Sequence, residues 1–228
     1  MSTDALHHPP LMPHLLVDGL NRYNDEPCLY LGDRVATYRE VRESTSQMVQ
    51  ALQSKGLKDG KVIAVLSANR PEVLSNIAAM QLAGCVGTPL HPLGSLDDHA
   101  YVLEAAGVNA LVYDPTVFDD HAKALAERVS GLQLLAFGPS SHADDYLAIA
   151  DSFEPQPLVA PDVDPDAVSS ITFTFGTTGK PNGFLSPYKV AAYINQIHLA
   201  EWEFPEHLSM LIATHLSHAD AAFFIPVL

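Results

Sequence analysis

The chain has 228 residues, 47% hydrophobic and 17% charged, a globular ratio that excludes a disordered chain. Twelve basic against 27 acidic side chains leave a formal charge of −15, which argues against an electrostatic nucleic-acid binder. Two cysteines, Cys28 and Cys85, are too few for a disulfide scaffold. No Lys or Arg precedes Arg22, and the apolar stretches stop short of membrane-spanning length, so no signal peptide, no transmembrane segment and a cytoplasmic location are expected.

The proline-rich start, with His7-His8, reads as a loose terminus. Strand and helix alternate from about residue 28. Residues 28–31 and 34–36 flank Gly32-Asp33, a two-residue loop that predicts a hairpin. Thr37 and Glu40 stand at capping-box spacing. Val41, Thr45, Met48, Val49 and Leu52 follow at helical spacing, with Gly56 as the stop. Residues 62–66 are a continuous apolar run, as in a buried parallel strand. Asn69-Arg70-Pro71-Glu72 is read as the cap of a helix reaching Gly84. The pattern continues with a strand at 85–90, a helix from Ser95 to near Gly107, and a strand at 110–113. A helix bearing Phe118, Ala122, Leu125, Ala126 and Val129 and a strand at 132–137 complete it. This predicts a three-layer α/β fold with a mainly parallel sheet and flanking helices.

A polar stretch at 138–145 and a Pro- and Asp-rich stretch at 154–166 follow; the latter is either a boundary or a surface crossing. Residues 168–175 alternate with period two, predicting a strand that runs straight into Gly176-Thr177-Thr178-Gly179-Lys180-Pro181-Asn182-Gly183. A strand feeding glycines, threonines and a lysine suits phosphate: amides and hydroxyls donate, and the ammonium adds charge. The loop is not a Walker A, because two residues, not four, separate Gly176 from Gly179, and Pro181 follows Lys180.

The string from Thr174 to Gly183 resembles the Thr-Ser-Gly-Thr-Thr-Gly-x-Pro-Lys-Gly signature of the adenylate-forming superfamily. Thr37-Tyr38-Arg39-Glu40-Val41, Gly60-Lys61-Val62-Ile63-Ala64 and Asn69-Arg70-Pro71-Glu72 are similar to its earlier segments. Ala83-Gly84-Cys85-Val86-Gly87-Thr88-Pro89-Leu90-His91-Pro92 and residues 211–228 are similar to two more. Together they resemble the fatty-acid and medium-chain acyl-CoA ligase branch.

The resemblance implies a two-step ligation. A carboxylate substrate attacks the α-phosphorus of Mg-ATP to give an acyl-adenylate and pyrophosphate; the CoA thiol then displaces AMP. It implies hydroxyl donors at Thr174, Thr177 and Thr178, backbone access at Gly176, Gly179 and Gly183, and charge at Lys180. His218 matches the family's histidine between the acyl and nucleotide sites. ATP, Mg2+ and CoA are therefore the implied cofactor and cosubstrates. Phe175 stands where a small hydroxylated residue is usual and Asn182 where Lys is usual, forfeiting a contact of roughly 1.5–3 kcal/mol. His215 stands in place of Pro, and Asp220 and Ala221 where Gly is sought.

Other candidates have plainer readings. His215, His218 and Asp220 lack the i, i+4 spacing and intervening Glu of a helical zinc site. Asp162, Asp164 and Asp166 lack the Gly and terminal Glu of a calcium loop and read as a solvated linker, so no metal site is expected in the protein itself. Cys28 and Cys85 read as core residues. Residues 221–228 form an apolar run with no polar tail, read as the chain stopping within a core, with self-association through that run. The adenine contacts, metal-binding segment and small C-terminal domain of the family would then lie downstream. Two readings stand open: residues 1–228 as the N-terminal part of an ATP-dependent acyl-CoA ligase, inactive alone, or a non-catalytic relative that keeps the fold and binds a nucleotide or partner weakly.

Overall fold

The computed structural model describes residues 10–174, 181–203, 205 and 208–216. Helix α1 (Met12–Arg22) opens the fold, with Pro13 in its first turn and Leu16 and Leu20 buried one turn apart. The sequence pattern does not mark this helix, because His14, Asp18 and Asn21 interrupt so short a periodic run. Strands β1 (Pro27–Leu31) and β2 (Arg34–Thr37) form the expected antiparallel hairpin, apart from the main sheet. Helix α2 (Tyr38–Ser54) starts at the expected capping box: Thr37 accepts from the Glu40 amide, and the Glu40 carboxylate accepts from the Thr37 amide at 2.7 Å.

Next come β3 (Val62–Leu66), α3 (Pro71–Leu82), β4 (Val86–Pro89), α4 (Leu96–Ala105), β5 (Ala110–Tyr113), α5 (Pro115–Arg128) and β6 (Gln133–Ala136), each close to its expected place. Two pieces were not anticipated: β7 (Asp144–Asp145), at the end of the polar stretch, and α6 (Tyr146–Asp151), which follows it and is capped by Asp145. The extended stretch 154–166 is a surface crossing: Gln47 and Gln50 of α2 donate to the carbonyls of Phe153 and Glu154, both at 2.9 Å. It delivers the chain to β8 (Val168–Thr174), then β9 (Asn182–Pro187) and α7 (Tyr188–Glu201), the last two not anticipated.

The seven-stranded sheet has the order β7-β6-β5-β3-β4-β8-β9, parallel throughout except for β9, which runs antiparallel to β8 at one edge. Alternate residues of each strand feed two cores. Ile63, Val65, Ala110 and Val112 pack against α1, α2, α3 and α6. Ala64, Leu66, Leu111 and Tyr113 pack against α4 and α5. The expected three layers are thus present. Helix α7 returns to the beginning of the chain: Tyr188 and Ala192 bury Leu11, and Asn195 donates to the sulfur of Met12. Its outer surface carries Val190, Ile194 and Ile197 exposed in a row at helical spacing, and Phe184 and Leu185 of β9 are exposed as well. Among the described residues no helix is long and apolar enough to cross a membrane.

Candidate nucleotide site

In an open α/β sheet, ligands gather at the carboxyl ends of the strands, often where the chain reverses its direction of travel across the sheet. That reversal lies between β3 and β5, and side chains fill it. Arg70 reaches Asp114 at 3.3 Å and the Phe137 carbonyl at 3.1 Å, and lies over the Phe137 ring. Glu72 accepts from Arg70 at 3.0 Å and from Arg34 at 2.9 Å. Burial pushes the Glu72 carboxyl up, but these hydrogen bonds and the charge of Arg70 outweigh it and leave it below its usual range. The crevice is therefore closed by a paired ion cluster.

The same edge continues over the carboxyl ends of β4 and β8, where β9 begins. Thr174 is the last residue of β8, exposed and paired with Asn182 across the ladder. Phe175, Gly176, Thr177, Thr178, Gly179 and Lys180 lie outside the described residues, as do His218, Asp220 and residues 221–228. Pro181 is buried, and β9 begins at Asn182, so Gly183 is a strand residue where the sequence suggested a loop. Its partner is Phe173, and a Cβ at Gly183 would come within 3.1 Å of that ring. A Cβ here would crowd the Phe173 ring, so packing favours a glycine whatever else the position does.

The chemistry of the stretch fits phosphate oxygens. Between Asp166 and Glu201 the sequence contains no carboxylate but carries Lys180 and Lys189, in a chain whose net charge is −15. Lys189 is paired with Asp166. The donors near the loop are hydroxyls, amides and an ammonium, which suit an anion and cannot by themselves ligate Mg2+. Among the described residues no three His, Cys, Asp or Glu side chains converge as a metal site. Asp162, Asp164 and Asp166 are exposed, and Asp164 accepts from the Asp166 amide at 2.9 Å in the approach to β8.

A second group of residues at this edge carries no local sequence signal. Asn69, expected to help cap α3, makes no cap; Arg70 occupies that position and Pro71 follows it. The Asn69 amide instead donates to the Thr214 carbonyl at 2.7 Å and accepts from the Leu216 amide at 2.9 Å. It ties 214–216 to the end of β3. His215, between those two contacts, sets its ring edge-to-face against His91, which follows β4. Nothing in Ser-Ala-Asn-Arg-Pro distinguishes a capping Asn from a clamping one. Cys28 is half-buried and Cys85 buried, and burial pushes both thiols up to about 12, in keeping with core residues.

The model of the AMP-binding enzyme family matches residues 17–227. The chain belongs to that family. It is 45% identical over 232 aligned residues to the medium/long-chain-fatty-acid–CoA ligase FadD8 of Mycobacterium tuberculosis, covering 99% of this chain and 41% of the relative. It is 26% identical to the 4-coumarate–CoA ligase CCL1 of Humulus lupulus, covering 80% of this chain and 34% of that one. The fold matches the amide bond synthetase McbA of Marinactinospora thermotolerans with a TM-score of 0.83 at 24% identity, over 96% of this chain and 42% of that one. The o-succinylbenzoate CoA synthetase of Bacillus subtilis, solved with its acyl-adenylate, gives 0.77 at 20% identity, over 96% and 55%. The chain therefore spans about two fifths of the length of the fatty-acid ligase it matches end to end.

Proposed function

We propose that residues 1–228 are the N-terminal part of an ATP-dependent ligase that joins a fatty acid to CoA through an acyl-adenylate. The observation that carries this reading is the match of 99% of the chain, at 45% identity, to a ligase named for medium- and long-chain fatty acids. The carboxylate-free stretch at the carboxyl edge of β8 supports it, because a triphosphate needs donors and no competing acid. In this reading Thr174, Thr177 and Thr178 donate hydroxyls to the β- and γ-phosphates. Gly176, Gly179 and Gly183 let the backbone approach, and Lys180 neutralises charge. His218 lines the wall between acyl and nucleotide sites. A fatty carboxylate oxygen forms a bond to the α-phosphorus as the bond to pyrophosphate breaks, and the CoA sulfur then takes the acyl group as AMP leaves. Mg2+ arrives with ATP and shields the phosphate charge.

These 228 residues hold a phosphate loop but no assigned contact for adenine, ribose or metal, so alone they are not expected to turn over. The test joins residues 1–228 to the remaining sequence of the M. tuberculosis relative and follows pyrophosphate release with medium- and long-chain fatty acids. Fatty-acid-dependent release that Lys180→Ala abolishes supports the reading. A well-folded hybrid with no fatty-acid-dependent ATP consumption would sink it and favour a non-catalytic relative.

A further inference from the structure

Four histidines form an ordered chain beside the candidate site. His99, on α4, is 1% exposed, and both its ring nitrogens are engaged. Its Nε2 lies 2.9 Å from the His91 carbonyl, and its Nδ1 lies 2.9 Å from Nε2 of His121 on α5. A carbonyl only accepts, so His99 carries its proton on Nε2, Nδ1 is the acceptor, and His121 must donate from its own Nε2. One tautomer of each ring satisfies all three atoms.

What His99 holds is a tight turn. The Gly94 amide also donates to the His91 carbonyl, at 2.8 Å, closing the turn His91-Pro92-Leu93-Gly94 with Pro at its second position. The Leu93 amide donates to His91 Nδ1 at 3.1 Å, which places the His91 proton on Nε2. The His91 ring then meets the His215 ring edge-to-face, with centroids 5.6 Å apart. Gly94 fits only because it lacks a side chain: a Cβ there would sit 2.3 Å from His99 Nε2. The turn and the histidine are thus closely interlocked.

The turn's place in the sheet gives it a role. Gly87 of β4 is level with Ser170 of β8 in a parallel ladder. The turn that follows β4 therefore leaves the sheet at the same edge, and beside the same neighbouring strand, as Thr174, the last residue of β8, where the phosphate loop begins.

We propose that His99 is a positioning residue, its tautomer set by His121, that fixes the His91–Gly94 turn and through the His91 ring the 214–216 segment, forming one wall of the nucleotide site. The proposal rests on the reading of 174–183 as that site. The groups facing His99 are His121 from α5, His91 from the turn and Asp98 from its own helix. Burial is the main influence and holds His99 below the ordinary histidine range; it lowers His121 too. The pair therefore stays neutral near pH 7, as the single shared proton requires.

The experiment is nuclear magnetic resonance on the 228-residue chain, reading imidazole nitrogen shifts and amide protection normalised to the buried β3 amides. His99 is expected as the Nε2–H tautomer, titrating below free histidine. Gln places an amide nitrogen near the histidine Nε2, whereas Asn reaches only the Nδ1 position. His99→Gln should therefore keep Gly94 protection within about twofold, while His99→Asn and His99→Leu lower it at least tenfold and shift the His215 resonance. Equal loss in Gln and Asn variants, or an Nδ1–H tautomer at His99, overturns the proposal. If Gly94 and His215 respond but the Thr174 amide does not, the turn is held by His99 yet does not serve the loop, and the positioning role falls. None of these readouts needs ATP turnover, so they stand or fall separately from the ligase activity.

Discussion

Gly183 carries two demands at once, and only one was visible in the sequence. The motif suggested backbone access for a phosphate; the structure adds the Phe173 ring lying where a Cβ would go. Gly183→Ala is expected to destabilise by about 1–3 kcal/mol through overpacking, read as a lower thermal midpoint. Shrinking the ring with Phe173→Leu in the same chain should recover part of that loss. If Gly183→Ala melts like the parent, the Phe173 contact is not limiting. Asn182 is exposed and pairs with Thr174, so a lysine there would stand at the mouth of the loop. In the FadD8 hybrid, Phe175→Ser with Asn182→Lys should lower the apparent KM for ATP by roughly tenfold, since one charge-assisted contact is worth about 1.4 kcal/mol or more. An unchanged KM would mean that Lys180 and the backbone suffice. The motif residues were legible one by one because each glycine, threonine and lysine has a chemistry of its own. The clamp by Asn69 was not, since its partners lie some 145 residues away in the chain.

Elements with a complete local signal were read from the sequence, and those whose signal comes from elsewhere were not. The capping box at Thr37, the apolar run of β3 and the alternation of β8 each identify themselves within a few residues. Helix α1 depends on α2, α3 and α7 to cover it, and β9 depends on β8 for its pairing, so neither announces itself locally. The 211–216 segment is an extreme case: it has no regular structure and is fastened by two hydrogen bonds from one side chain. Asn69→Ala should therefore leave helix content unchanged while raising amide exchange at Leu216 about thirtyfold, in line with two lost bonds of roughly 1 kcal/mol each. Undiminished protection at Leu216 would show that the His91–His215 contact and the burial of Leu216 hold the segment unaided.

Taken whole, the molecule should lose stability on acidification in two stages. His99 and His121 are held low by burial, so the unfolded chain takes up protons first and stability falls once the pH drops below about 6.5. Glu72 is held low by Arg70 and Arg34 despite its burial, so its contribution is present above about 4.3 and disappears as the pH falls through its folded value. Urea midpoints should fall between pH 7.5 and 5 as the histidines charge in the unfolded chain, and again between pH 4.5 and 2.5, where Glu72→Gln should flatten the decline. A level midpoint across the first interval would contradict the histidine assignment, and an undiminished second step in Glu72→Gln the other. The uncovered apolar row on α7, with Ile194 at 45% and Ile197 at 59% exposed, predicts that the 228-residue chain binds hydrophobic dyes and self-associates. Replacing both isoleucines with lysine should restore a monomer in sedimentation; unchanged association would move the sticky surface to residues 221–228, outside the described region.

The return of α7 to the start of the chain also sets a timetable for biosynthesis. Tyr188, Ala192 and Asn195, which cover Leu11 and Met12, leave the ribosome about 180 residues after them. At about 5–20 residues per second the wait is on the order of 10–40 s. Leu16 and Leu20 can dock earlier on α2 and α3, so only the tip of α1 stays uncovered. During that interval the nascent chain offers a short apolar hook to chaperones and proteases, and stalled translation before Tyr188 would leave it permanently on offer.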